Sequence, residues 1–131
     1  MGYCIELISN QFVIKKENFG KAFVALKKCF TEENMTISDS SGKHFRFVST
    51  KAALNSSTID EALEVIRYIP MKDENGNISK LKFTGEKYGD EEIFFNALAP
   101  YIEPGSYLSF EGEDGDKWTW KFINGKLEEV Y

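Results

Sequence analysis

The C-terminal stretch from Ser106 to Phe122 limits the possible fold more than any other part of the sequence. Two aromatic-rich runs flank an acidic turn that contains glycine, a pattern typical of a β-hairpin. The turn can be a two-residue turn at Asp114-Gly115 or a three-residue loop over 113–115. The choice matters because a shift of one residue moves every side chain of a strand to the other face of the sheet.

The three-residue loop is the better prediction, because it brings the large apolar side chains of both strands onto one face. These side chains are Leu108, Phe110, Trp118, Trp120 and Phe122. The loop requires Gly115 in the left-handed conformation, which glycine adopts without steric cost. We therefore expect both tryptophans to belong to the hydrophobic core.

Apolar residues at helical spacing predict three helices in the rest of the chain. The predicted helices cover 18–30, 58–67 and 90–102. Asn18, Thr58 and Asp90 are the expected N-caps, and Glu61 completes a capping box with Thr58. Pro100 should bend the last turn of the third helix, because proline removes a backbone hydrogen bond.

Short β-favouring segments and tight turns fill the remaining chain. Residues 4–16 are expected to be extended, 68–72 and 78–84 to form a second hairpin, and 44–49 to be a strand with Phe45 and Phe47 on one face. Asn124-Gly125 should turn a last strand back on the hairpin. The predicted fold class is α+β, a single domain over 1–131 with a mainly antiparallel sheet of about six strands and three helices largely packed on one face.

Charge is unevenly distributed along the chain. The net charge is −5, with +1 in residues 1–70 and −6 in residues 71–131. This balance argues against non-specific binding to nucleic acid or to an anionic membrane. The apolar runs are too short to cross a bilayer, so we expect a cytoplasmic protein with no membrane partner.

The sequence contains no strong catalytic motif, and we expect a protein without enzymatic activity, cofactor or metal. The single histidine, His44, could form a dyad with Cys4 or Cys29 if the fold brought them together. Two half-buried thiols and a half-exposed histidine are the simpler interpretation. The oligomeric state is not determined by the sequence.

The turn of the C-terminal hairpin is strongly acidic. Glu111, Glu113, Asp114 and Asp116 place four carboxylates within six residues. Carboxylates in a tight turn can hold Ca²⁺, but the spacing does not match an EF-hand loop. The remaining interpretations are a charged tip that keeps the hairpin soluble and a binding surface for a basic protein.

A second set of candidate binding residues is His44, Phe45, Arg46 and Phe47. This segment resembles the aromatic strand with which RNA-recognition domains stack on bases, since Phe45 and Phe47 stand at alternating positions. His44 and Arg46 occupy positions where that pattern has glycine. The resemblance implies nucleic-acid or nucleotide binding as an alternative function.

The last fifty residues resemble a group of small bacterial and phage proteins. A strand at Leu81, a helix that ends Ala99-Pro-Tyr, a tryptophan-bearing hairpin and a closing Asn124-Gly-Lys are similar in order to the ferredoxin-like domain of the YubB type. The resemblance implies an origin in mobile elements and no active site. Our leading hypothesis is a non-catalytic interaction module that presents its acidic C-terminal surface to a basic partner, as a phage-type or immunity-type antagonist would.

Overall fold

Helices alternate with antiparallel strand pairs along the chain, and together they form an α+β fold. A computed structural model describes residues 2–131, and this part contains four α-helices and eight β-strands. The strands are β1 (Ile5–Gln11), β2 (Ile37–Asp39), β3 (Gly42–His44), β4 (Tyr68–Lys72), β5 (Ile78–Phe83), β6 (Tyr107–Gly112), β7 (Lys117–Ile123) and β8 (Lys126–Val130). The helices are α1 (Phe19–Lys27), α2 (Thr50–Asn55), α3 (Ile59–Val65) and α4 (Glu91–Leu98).

All strand pairs are antiparallel, but they do not form one continuous sheet. A four-stranded sheet has the order β1-β6-β7-β8, while β4 pairs with β5 and β2 pairs with β3 in two separate ribbons. The predicted α+β class with antiparallel strands is therefore correct. The prediction of one sheet of about six strands is wrong, because the strands form one four-stranded sheet and two separate ribbons. The two-stranded ribbon of β4 and β5 lies beside β1 and accounts for the difference.

β1 and β5 are joined at their ends and separate between them. Ile5 N–H donates to the Glu86 carbonyl at 2.9 Å, and Phe12 N–H donates to the Ser79 carbonyl at 3.0 Å. Between these two points, in the part of the chain that the structure describes, no backbone hydrogen bond connects β1 with β5. The side-chain amide of Asn10 spans the opening instead, because it donates to the Leu81 carbonyl at 2.9 Å and accepts from Leu81 N–H at 2.8 Å.

The hydrophobic core lies between α4 and one face of the sheet. Phe95 on α4 packs against Tyr68, Trp120 and Phe122, with ring centroids 5.1, 6.1 and 6.5 Å away. The opposite face of β6 and β7 is partly exposed and polar, and there the Ser109 and Thr119 hydroxyls are 2.8 Å apart. One sheet face is thus covered by helix and the other remains open.

The helix predictions hold with local corrections. Thr58 caps α3 by accepting from Glu61 N–H at 3.1 Å. Asn18 precedes α1 without a side-chain capping bond, because a 3-10 turn over Lys16–Asn18 already leads into the helix. α2 was not predicted, since its six residues are too few to establish a helical pattern. The chain is 3-10 helical at Ala99–Tyr101, where Pro100 ends the α-helical bonding.

The predicted strand over residues 44–49 is wrong. β3 ends at His44, and Phe45 to Val48 form a tight turn in which Phe47 has φ +61°. Phe45 is 1% exposed and Phe47 is 51% exposed, so the two rings do not share a face. Phe45 enters an aromatic cluster with Phe30 and Phe94, and burying that ring outweighs the strand pattern.

Within residues 2–131, no helix has both the length and the apolar character needed to span a lipid bilayer.

Candidate functional site: an acidic cavity at the end of the sheet

The β6–β7 hairpin adopts the predicted register. Phe110 pairs with Trp118 and Leu108 with Trp120, so these four side chains share a face. Gly115 has φ +89°, and its N–H donates to the Gly112 carbonyl at 3.0 Å. The three-residue loop with a left-handed glycine is confirmed, and it determines where the acidic residues lie.

Two of the predicted acidic residues line a cavity at the end of the split between β1 and β5. The cavity has a volume of ≈ 540 Å³. Its lining consists of Cys4, Ile5, Glu6, Gly85, Glu86, Glu111, Gly112 and Glu113. We call this site the acidic cavity, because four of its eight lining residues are glutamates and none is basic.

Three separate segments bring the four glutamates together. Glu6 is in β1, Glu86 lies in the connection after β5, and Glu111 and Glu113 come from the end of β6 and its loop. The pairing of β1 with β6 holds the first and last segments in register, with Ile5 opposite Gly112. The backbone bond from Ile5 to Glu86 fixes the third.

Like charges are juxtaposed in this cavity. Glu6 and Glu111 are direct cross-strand partners, and equal charges in this arrangement destabilise a sheet. Lys117 pairs with Glu111 from the other side, on β7, and offsets part of the repulsion. A carboxylate oxygen of Glu113 accepts from Cys4 N–H at 3.0 Å. The arrangement is suited to receive a cation, which would relieve the repulsion between Glu6 and Glu111.

The other two predicted acidic residues lie in the hairpin loop outside this lining. Asp114 accepts a hydrogen bond from the Tyr3 hydroxyl, and this bond raises the pKa of Tyr3 to about 12. Asp114 also accepts from Asp116 N–H at 3.2 Å. Both residues are exposed, and the Asp114 carboxylate is already hydrogen-bonded within the protein.

Neither Glu6 nor Glu86 was predicted to be a site residue. Both are isolated acidic residues, and local sequence contains no signal that they meet Glu111. Residues 4–16 were predicted to be extended, but the strand that pairs with the start of this segment lies more than one hundred positions away. Only the strand order could have identified them.

The alternative set at residues 44–47 does not form a stacking platform. His44 Nε2 lies 2.9 Å from an Asp39 carboxylate oxygen, and Phe45 is buried. Arg46 is exposed, and its backbone N–H donates to a carboxylate oxygen of Asp90 at 2.7 Å. Phe47 packs over the guanidinium of Arg67, with 4.9 Å between the Arg67 Cζ atom and the ring centroid.

A buried polar cluster surrounds that guanidinium and was also missed. Arg67 donates to Glu91 at 3.1 Å and to the Lys87 carbonyl at 2.9 Å. Glu91 further accepts from Tyr68 O–H and from Gly89 N–H. Burial raises the pKa of Glu91, and Arg67 acts in the opposite direction. Every oxygen of this carboxylate has a partner, so the cluster fixes the connection between β5 and α4.

The sulfur atoms are not placed for catalysis with His44. Cys4 and Cys29 are both free thiols, and across residues 2–131 neither is a hydrogen-bond partner of the imidazole. Cys29 is buried, and burial raises the pKa of its thiol to about 11. A thiol with a raised pKa is a poor nucleophile near neutral pH.

In the part of the chain that the structure describes, no group of three or more histidine, cysteine, aspartate or glutamate residues has a geometry that could hold a metal ion. The four glutamates of the acidic cavity are therefore not gathered as ligands around a single point. In comparisons with known proteins, no family model, no curated protein and no solved structure matches the chain.

Proposed function

We propose that the protein is a non-catalytic interaction module that binds a basic surface of another protein through the acidic cavity. One observation carries the proposal: Glu6, Glu86, Glu111 and Glu113 surround a space of ≈ 540 Å³ whose lining contains no basic residue. A lysine or arginine side chain of a partner fits this charge and this size. Carboxylate pairs are the preferred recognition partners of guanidinium groups.

The charge of the whole chain supports the same function. Residues 71–131 carry a net charge of −6, and they include Glu86, Glu111 and Glu113. A surface of one sign accelerates the encounter with a partner of the opposite sign and excludes partners of like charge. Asp116 and Glu128 add exposed carboxylates on the same hairpin and its neighbouring strand.

The specific form that we propose is an antagonist of the phage or immunity type, which inhibits a partner by covering its basic surface. Such a protein needs a rigid charged face and no catalytic group. We propose the cytoplasm as its location, because the free thiols Cys4 and Cys29 suit a reducing compartment. Such a protein acts by binding its partner and not by catalysing a reaction.

A pull-down from a lysate of the source cells at low salt tests this proposal. The first variant changes the four cavity glutamates to glutamine (E6Q, E86Q, E111Q and E113Q). The matched control changes four exposed glutamates elsewhere (E32Q, E33Q, E64Q and E74Q), so that the net charge changes equally. We expect a basic protein to be retained by the wild type and the control and to be lost from the cavity variant.

Equal retention by both variants would contradict a role for the cavity, and so would the absence of any basic protein in the bound fraction. Nucleic-acid or nucleotide binding through Phe45, Arg46 and Phe47 stays the alternative prediction. A fluorescence titration with single-stranded oligonucleotides tests it, and a flat titration at low salt would remove it. The burial of Phe45 leaves this alternative with one exposed ring instead of two.

A further inference from the structure

The split between β1 and β5 continues from the acidic cavity as a groove. Two more cavities, of ≈ 380 and ≈ 810 Å³, lie along it. The smaller one shares Ile5, Glu6 and Gly85 with the acidic cavity. It also shares Leu7, Met71 and Leu81 with the larger one. The three cavities therefore form one continuous depression, which we call the split groove.

Exposed apolar side chains line the split groove beyond the acidic cavity. Ile8 lines the larger cavity and Met71 lines both cavities, and the two side chains are 46% and 43% exposed although both are large and hydrophobic. Ile69 lies next to Met71 on the same face of β4 and is also exposed. Contiguous exposed apolar side chains beside a depression are typical of binding surfaces.

The backbone of β1 is incompletely paired along this groove. A register shift between Leu7 and Ser9 interrupts the pairing with β6. On the other side, the Asn10 amide replaces a backbone pair with Leu81, and β5 supplies no backbone hydrogen bond between Ile5 and Phe12. Unpaired strand backbone is the feature that extended peptides recognise when they bind along a sheet.

The two ends of the split groove differ in charge. One end is the acidic cavity, while Lys82 lines the middle and Lys80 lines the far end. Asp73 is also at the far end, but its carboxylate accepts from Asn75 and Asn77 N–H groups. A bound segment should therefore carry its basic residue at one end only.

We propose that the split groove binds an extended segment of the partner protein, with apolar side chains over Ile8 and Met71 and a lysine or arginine in the acidic cavity. This inference rests on the proposed function, because the basic residue enters the same acidic cavity. β1 spans seven residues, which corresponds to roughly 20 Å of extended chain. The segment is accordingly about six or seven residues long.

The test is a selection of random twelve-residue peptides displayed on phage against the immobilised full-length protein. We expect the enriched peptides to share an apolar run with lysine or arginine at one end of it. A synthetic copy of the strongest peptide should bind Met71→Glu at least tenfold more weakly than the wild type. Val24→Glu is the matched control, because Val24 is 50% exposed on α1 and does not line the groove.

The outcomes separate this inference from the proposed function. If no peptide is enriched over a tag-only surface, or if Met71→Glu and Val24→Glu bind equally, the extended segment is ruled out. If the basic protein of the pull-down is then still lost from the cavity variant, the proposed function stands without the groove. Circular dichroism of each variant verifies that the fold is retained.

Discussion

Trp120 connects the sheet to α4 and to the last strand. Its side chain is fully buried against Phe95 and Phe110, and its indole N–H donates to Glu129 at 2.8 Å. Trp118 lies on the same face but is half-buried and packs on Phe110 and Tyr88. The two tryptophans thus share a face and differ in how much they stabilise the fold.

Trp120→Ala should lower the free energy of unfolding by about 3–5 kcal/mol, because it leaves a large cavity in the core. Trp118→Ala should cost clearly less, since part of that ring is already in contact with water. Urea unfolding followed by far-UV circular dichroism measures both values. Equal losses for the two variants would contradict the difference in burial.

A second contrast at the residue scale concerns the carboxylates of the hairpin. Glu111 and Glu113 line the acidic cavity, whereas Asp114 is bonded to Tyr3. The double variant E111Q/E113Q should weaken binding of the basic partner more than D114N/D116N does, although both remove two charges. Surface plasmon resonance at fixed ionic strength provides the comparison, and a larger loss from D114N/D116N would refute it.

At the scale of elements, the turns determine the register of the hairpins. Gly115 closes the β6–β7 loop with φ +89°, and Asn124 and Gly125 close the β7–β8 turn with φ +53° and +76°. Both were predictable, because left-handed positions favour glycine and asparagine and a turn is encoded by adjacent residues. The turn over 45–48 was not predictable, since it places the non-glycine residue Phe47 at a positive φ and accompanies the burial of Phe45 against distant parts of the chain.

Gly115→Ala should destabilise the protein by roughly 1–2 kcal/mol, because an L-residue is strained in the left-handed region. Gly20→Ala is the control, since Gly20 lies in the first turn of α1 and an added methyl group would contact nothing within 4 Å. It should raise stability by up to about 1 kcal/mol through helix propensity. Thermal unfolding shows whether each substitution raises or lowers the stability. Stabilisation by Gly115→Ala would contradict the left-handed conformation of Gly115.

The β2–β3 hairpin should depend on pH through His44 and Asp39. The hydrogen bond to Asp39 raises the pKa of His44 above 6.5 and lowers the pKa of Asp39 to about 2. The stabilisation by protonated His44 is complete below about pH 6.5 and is lost as pH rises through the raised pKa. The contribution of ionised Asp39 is complete above about pH 3.8, the usual pKa of an aspartate, and is lost as pH falls through its lowered pKa of about 2.

An NMR titration of the His44 ring protons tests this pH dependence, and its midpoint should lie above 6.5. Amide protection factors in β2 and β3 should be highest between about pH 4 and 6.5 and should decrease on either side. His44→Gln should remove the decrease at the upper side. A midpoint at or below 6.5 would contradict the contact with Asp39.

At the scale of the whole molecule, the acidic cavity depends on contacts between distant parts of the chain. The hairpin that supplies Glu111 and Glu113 was predictable from its own sequence, whereas Glu6 joins it through pairing of β1 with β6 and Glu86 through a bond to Ile5. Local patterns contain no information on such pairing, because the strand order is set by packing of the complete core. The split beside β1 has the same origin, since an isolated Asn10 gives no sign that its amide will bridge two strands.

The central claim is that the acidic cavity, rather than negative charge in general, binds a basic group. An NMR titration of the ¹⁵N-labelled protein with a hexa-arginine peptide at low salt tests it most directly. We predict the largest amide shifts at Glu6, Glu86, Glu111 and Glu113, and a loss of affinity in the cavity quadruple variant that the matched E32Q/E33Q/E64Q/E74Q variant does not show. Shifts spread evenly over the exposed carboxylates, or equal losses in both variants, would contradict the claim.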